Sequence, residues 1–120
     1  MTAHEVLKTY YGYDHFRPLQ EEIIQSVLDG RDTLALLPTG GGKSICFQVP
    51  TLVMTQKEVE YRSDELGLCL VITPLIALMK DQVENLKRRN ILAASLHSGM
   101  SMQDQSTVFD NCQYGPYRFL

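Results

Sequence analysis

The chain has 120 residues, a net charge of −3, and 44% hydrophobic and 21% charged residues. Such a composition belongs to a folded globular protein with room for one core, not to a low-complexity or disordered chain. The acidic balance excludes a basic nucleic-acid footprint spread over the whole chain. The lack of about 18 consecutive apolar residues excludes a helical membrane span, so no membrane partner is expected.

Residues 4–11 read as a short helix, followed by a loop with Gly12, Tyr13 and Asp14. Pro18 suits the first position of a helix, where its missing N–H is not needed. Leu19, Ile23, Ile24, Val27 and Leu28 then recur at helical spacing, with Gly30 as the stop. Residues 33–37 form an apolar run read as a buried strand, and residues 38–42 are a loop. A helix is expected from Lys43 or Ser44, with Pro50 kinking or ending it. Residues 56–65 are polar and read as an exposed loop. Residues 68–72 are a second apolar run read as a buried strand, ended by Thr73 and Pro74. Leu75, Leu78, Met79, Val83 and Leu86 mark an amphipathic helix closing near Arg89, where Lys87, Arg88 and Arg89 complement the helix dipole. Residues 91–96 read as a third strand, Ser101 as the cap of a helix to about Cys112, 114–116 as a turn, and 117–120 as a fourth strand. Alternating strands and helices predict an α/β fold with a mostly parallel sheet flanked by helices.

Cys46, Cys69 and Cys112 are odd in number and widely spaced, which argues against a zinc site; Cys46 and Cys69 lie in apolar runs and read as small core residues of a reducing compartment. The N-terminal segment carries His4, Glu5 and Lys8 and has no apolar signal core, so a cytoplasmic location is expected.

The most informative segment is Pro38-Thr39-Gly40-Gly41-Gly42-Lys43-Ser44, set between an expected strand and an expected helix. Three glycines let the backbone curl with N–H groups inward, an anion nest completed by the helix N-terminus. Lys43 is a mobile charge for the β- and γ-phosphates of a nucleotide, and the Ser44 hydroxyl is a ligand for Mg²⁺. Leu37 stands where the general phosphate-loop pattern has its first glycine. A glycine-rich turn that merely precedes Lys-Ser is the bland alternative.

With Ile45-Cys46-Phe47-Gln48-Val49-Pro50 behind it, this loop resembles the first motif of the RecQ family of superfamily 2 helicases, which tolerates the absent first glycine. Residues 16–24 (Phe-Arg-Pro-Leu-Gln-Glu-Glu-Ile-Ile) resemble that family's upstream adenine motif, with Leu19 in place of the usual glycine. Residues 71–83 resemble its next motif, which lies along single-stranded DNA, and residues 93–98 resemble the strand and loop after it.

The resemblance implies a RecA-like phosphate-loop NTPase fold that uses ATP and Mg²⁺ for 3′-to-5′ DNA unwinding in repair and recombination. It also implies contact with single-stranded DNA and duplex junctions at the nucleoid. It assigns the nucleotide to Tyr13, Arg17, Gln20, Thr39, Gly40, Gly41, Gly42, Lys43 and Ser44, with Lys43 as the catalytic residue and Ser44 on Mg²⁺. Gln20 would read adenine, Tyr13 would stack on it, and Arg17 would pack beside it. DNA contacts fall to Thr73, Pro74 and Ser98. From the residues alone, Tyr13 reads equally as core, Gln20 as an exposed helix residue, and Thr73 and Pro74 as a strand end. Phe16 reads as core, Lys80 as surface and His97 as a loop histidine.

Hydrolysis in this superfamily draws on an Asp-Glu pair that ends a buried strand. Asp29 and Asp110 fall in expected helices and Asp64-Glu65 in the polar loop, so none qualifies. The chain therefore reads as part of a first motor domain, incomplete at its C-terminus, with residues 57–66 as an inserted loop and hydrolysis by the piece alone expected to be poor. The stub at 117–120 is expected to leave a sheet edge open to self-association. Two alternatives remain. One is a different phosphate-loop enzyme such as a small-molecule kinase, which calls for an arginine-rich lid and an acidic pair. The other is a non-catalytic nucleotide- or DNA-binding module.

Overall fold

The structure is a computed structural model that describes residues 2–38, 42–61, 68–114 and 117–120, and the side chains among them other than those of 56–61 and 113–114. The chain forms two compact units, Met1–Lys57 and Glu58–Leu120, where a single core was expected.

The first unit opens with α1 (Ala3–Val6), which continues into a π-helical turn, Leu7–Tyr11. Thr2 caps α1 reciprocally: its hydroxyl accepts from the Glu5 N–H while the Glu5 carboxylate accepts from the Thr2 N–H. Gly12, at φ +74, ends the turn in the left-handed region. α2 (Gln20–Leu28) carries Glu21 and Glu22 in its first turn, where they complement the dipole, and buries Gln20 and Ile24.

Pro18 does not start α2. Residues 17–20 form a turn closed by the Gln20 N–H donating to the Arg17 carbonyl at 3.2 Å, with Leu19 at φ 71, ψ −19. These are the features of a type II turn, which places proline second and favours glycine third. Leu19 is therefore 56% exposed and stands outside the apolar face of α2.

α3 (Lys43–Tyr61) runs for 19 residues straight through Pro50, contrary to the expected stop. The Pro50 ring is fully buried, and Cys46, Val49, Leu52 and Val53 bury the same helix, so packing outweighs the local cost of proline. The Thr51 and Thr55 hydroxyls donate to the carbonyls of Phe47 and Thr51. Residues 57–61, expected as loop, continue α3: Lys57, Glu58 and Glu60 are good helix formers, and no glycine or proline interrupts them. Residues 62–66 of the expected insertion lie outside the described residues, as do Gly115 and Pro116 of the expected turn.

In the second unit, α4 (Ile76–Arg88) buries Leu86 and places Lys87 and Arg88 in its last turn, as the charge pattern predicts. α5 (Met102–Tyr114) is capped by Ser101, whose hydroxyl accepts from the Asp104 N–H. Three extended segments meet around Phe119, which forms parallel bridges with both Cys69 and Ala93. The Cys69 N–H donates to the Arg118 carbonyl and the Val71 N–H to the Leu120 carbonyl; on the other side the Arg118 N–H donates to the Leu92 carbonyl. Phe119 is 2% exposed and anchors the core with Leu86, Ile91 and Ala93.

Two expectations about the sheet change. Among the described residues the parallel pairing consists of these isolated bridges, and residues 33–37 pair with nothing as a strand: Leu34 and Leu36 are exposed where burial was expected, as are Leu68, Leu70 and Ile72 of the second expected strand. A run of apolar residues is buried as a strand only when neighbouring strands flank it. The terminal segment 117–120 is not an open edge, because its backbone is hydrogen-bonded on both sides.

Candidate nucleotide site

Gln20 and Gly42, 22 residues apart, form the centre of the site. The Nε2 of Gln20 donates to the Gly42 carbonyl at 3.1 Å, and its Oε1 accepts from the Arg17 N–H at 2.8 Å. The residue is 2% exposed, so it is not the exposed helix residue that spacing alone allows. The same Gly42 carbonyl accepts a long contact of 3.7 Å from the Cys46 thiol, whose pKa is raised by burial. Gly42 has φ +82, and a Cβ there would collide with Nε2 of Gln20 and lie 3.9 Å from the Arg17 side chain. Glycine is favoured by this backbone conformation, and any Cβ would have to displace the buried Gln20 amide.

Lys43 and Ser44 begin α3, immediately after Gly42, where the helix N-terminus favours an anion. Lys43 is exposed and Ser44 half-buried. Thr39, Gly40 and Gly41 lie outside the described residues. Arg17 is exposed, and Tyr13, 50% exposed, follows the left-handed Gly12. Lys8 donates to Asp14 at 2.8 Å and tethers the segment that carries Tyr13; that hydrogen bond, and then the Lys8 charge, hold the Asp14 carboxyl below its usual range. The structure thus brings Arg17 and Gln20 to Gly42, the residue before Lys43 and Ser44 at the N-terminus of α3.

One relationship escapes sequence reasoning. The Tyr11 hydroxyl donates to Oε1 of Gln48, buried on α3, at 2.6 Å. It joins the π-helical turn to the helix that begins with Lys43. The signal in the sequence is a glutamine set among the apolar residues Ile45, Cys46, Phe47 and Val49. Phe16, expected as core, is half-buried and meets the His4 ring edge-on at 4.9 Å. Both line a groove with Glu21, Ile24 and Leu28 that includes none of the predicted nucleotide residues.

The residues assigned to DNA lie in the second unit. Thr73 is half-buried and Pro74 exposed in the lead-in to α4, whose N-terminus has no side-chain cap; Ser98 is exposed in a turn. Lys80 is exposed, as expected. His97 is half-buried, with an Nδ1 that has no hydrogen-bond partner. Asp29 ends α2 and Asp110 lies inside α5, in agreement with their exclusion as strand-end acids. Among the described residues no cluster of His, Cys, Asp and Glu is suited to hold a metal, and no helix is long and apolar enough to cross a membrane.

Residues 17–114 match the family model of the DEAD/DEAH box helicases. The chain belongs to the DEAD/DEAH box helicase family, and that membership implies a RecA-like fold. Within it the resemblance to RecQ helicases extends across most of the chain. It is 49% identical over 104 residues to an ATP-dependent DNA helicase RecQ of Synechocystis, covering 87% of this chain and 20% of that protein. It is 41% identical over 119 residues to the RecQ helicase of Haemophilus influenzae, covering 99% of this chain and 17% of that one. A probable ATP-dependent DNA helicase RecS of Bacillus subtilis is 38% identical over 117 residues, covering 97% of this chain and 21% of its own length. The chain thus spans about a fifth of the length of these relatives.

Proposed function

We propose that this chain carries the ATP-binding half-site and the start of the DNA path of a RecQ-type helicase, which unwinds DNA 3′ to 5′ at duplex junctions in the cytoplasm, at the nucleoid. The observation that supports it most is the meeting of Arg17, Gln20 and Gly42, which joins a base-reading amide to the glycine that precedes Lys43 and Ser44. Gln20 reads the adenine edge, Tyr13 stacks on the ring, and Arg17 covers it. The N–H groups of 39–44 hold the phosphates, Lys43 neutralises charge on the β- and γ-oxygens, and Ser44 ligates Mg²⁺. Bound Mg-ATP supplies the phosphoryl transfer that drives movement. Thr73, Pro74 and Ser98 contact the backbone of single-stranded DNA, through hydroxyls and the uncapped N-terminus of α4. In this reading the extended segments that meet at Phe119 belong to a parallel sheet.

Calorimetric titration with Mg-ADP and Mg-GDP, on the wild type and on Lys43→Ala and Gln20→Ala, tests the site. ADP is expected to bind in preference, and both substitutions to weaken it. Equal affinity for the two nucleotides would overturn the adenine assignment.

A further inference from the structure

The hydrogen bond from Tyr11 to Gln48 involves none of the groups assigned to the nucleotide, yet it ties together two segments that carry them. Tyr11 is the last residue of the π-helical turn and lies two residues before Tyr13. Gln48 lies on α3, five residues after Lys43, or about 7.5 Å along the helix axis. The bond joins residues 37 apart in sequence and, at 2.6 Å, is short for two neutral groups. Gln48 is buried, as are Cys46, Val49 and Leu52 on the same helix. A leucine at 48 would bury as well and need no partner, so burial alone does not account for a glutamine that meets a tyrosine hydroxyl. What the pair adds is direction. Apolar contact is indifferent to orientation, whereas a hydrogen bond restricts both distance and angle. The π-helical turn, an uncommon geometry that recurs at functional sites, presents the hydroxyl, and the left-handed Gly12 then leads the chain into the exposed Tyr13. Beyond Tyr13, Lys8 holds Asp14, but that pair is exposed and closes within its own segment. The bond from Tyr11 reaches α3.

We propose that Tyr11 and Gln48 are positioning residues for the nucleotide: their bond is a strut that sets the place of the Tyr13 ring, which stacks on the base, relative to the N-terminus of α3, where Lys43 and Ser44 take the phosphates. The inference rests on the nucleotide reading proposed above. Base and phosphates belong to one ligand, so both ends are held at once only when the two segments stand at the matching distance. A site already held at that distance does not lose affinity to ordering on binding. Neither Tyr11 nor Gln48 needs to touch the ligand. The strut acts through Tyr13, so it favours every base alike, since each has a face to stack. It gives nothing to a phosphate chain that has no base.

Calorimetry with Mg-ADP, Mg-GDP and Mg-pyrophosphate on the full 120-residue chain tests the strut, using Tyr11→Phe, Tyr13→Ala and the two combined. Tyr13→Ala is expected to weaken ADP about tenfold, the loss of one stacking contact. Tyr11→Phe is expected to weaken ADP and GDP by one common factor, about threefold, and to leave pyrophosphate unchanged. In the Tyr13→Ala chain, Tyr11→Phe should have no further effect on ADP. Tyr11→Phe combined with Gln48→Leu removes both ends of the bond, so no group is left buried without its partner. That chain should remain folded by urea unfolding and show the same threefold loss. Full ADP affinity in Tyr11→Phe, or in its combination with Gln48→Leu, overturns the strut and leaves the stacking of Tyr13 standing. An equal loss with pyrophosphate, or an undiminished effect of Tyr11→Phe in the Tyr13→Ala chain, overturns it too, because the bond then supports the fold and not the base. Tyr13→Ala with the ADP affinity of the wild type strikes the stacking reading itself, and the strut falls with it.

Discussion

The Nε2 of Gln20 occupies the space a Cβ on Gly42 would need, while donating a hydrogen bond to the Gly42 carbonyl. Gly42→Ala therefore displaces the amide and strains a backbone at φ +82. Its Mg-ADP affinity should fall by at least about tenfold, or about 1.4 kcal/mol. Gly30 is the control. It has a similar φ of +80 with open space around it, so Gly30→Ala should cost about 1 kcal/mol of stability and leave ADP binding unchanged. Parallel calorimetry and urea unfolding separate the two; matching behaviour of the variants would deny the close approach.

Leu19 holds the left-handed third position of the turn at 56% exposure. A leucine there bears a steric cost that glycine does not, and its exposure leaves little burial to lose. Leu19→Gly should stabilise the chain by about 1 kcal/mol, seen as a higher urea midpoint with an unchanged slope. A destabilised variant would argue that the leucine is held by packing.

Removing the Tyr11 hydroxyl leaves Oε1 of Gln48 buried without its donor. Tyr11→Phe should cost about 1–3 kcal/mol, and adding Gln48→Leu should recover part of it, because the unsatisfied group is then gone as well. A double-mutant cycle by chemical denaturation measures this coupling, and strict additivity would show the bond contributes nothing.

Phe119 sits between the segments of Cys69 and Ala93 at 2% exposure. Phe119→Ala should lose about 3–5 kcal/mol, through lost transfer energy and the cavity left behind. Hydrogen exchange at the N–H groups of Cys69 and Ala94, which bond to this segment, should accelerate with it.

Asp14 titrates below its ordinary value of 3.8, because Lys8 hydrogen-bonds to its charged form and lies beside it. A depressed carboxylate adds stability that is present above the ordinary value and lost as pH falls through the lower one. A carboxyl NMR titration should find Asp14 below the usual range, and Lys8→Met should return it there. Both side chains are exposed, so the effect on global stability should be small.

Much of the site is legible in the residues themselves. Gly42 with Lys43 and Ser44 at the start of α3, the segment holding Arg17 and Gln20, the Ser101 cap and the basic last turn at Lys87 and Arg88 are local chemistry, set by which conformations and hydrogen bonds a few neighbouring residues allow. Leu19 shows the limit. Its helical spacing points to α2, yet Pro18 before it and the bond from Gln20 to Arg17 make a turn that periodicity cannot detect.

The sequence by itself determined the family, the motif order and four long helices in their approximate places, because those depend on residue type and short-range spacing. Only the tertiary structure decided that α3 runs through Pro50, that 117–120 is flanked on both sides, that 33–37 is exposed, and that the Gln20 amide is spent on Arg17 and Gly42. Each of those outcomes turns on groups far apart in the chain. Burial of a proline ring, strand pairing and the satisfaction of a buried amide are settled by whichever partners the fold brings within hydrogen-bonding or van der Waals distance, and sequence spacing does not encode that distance.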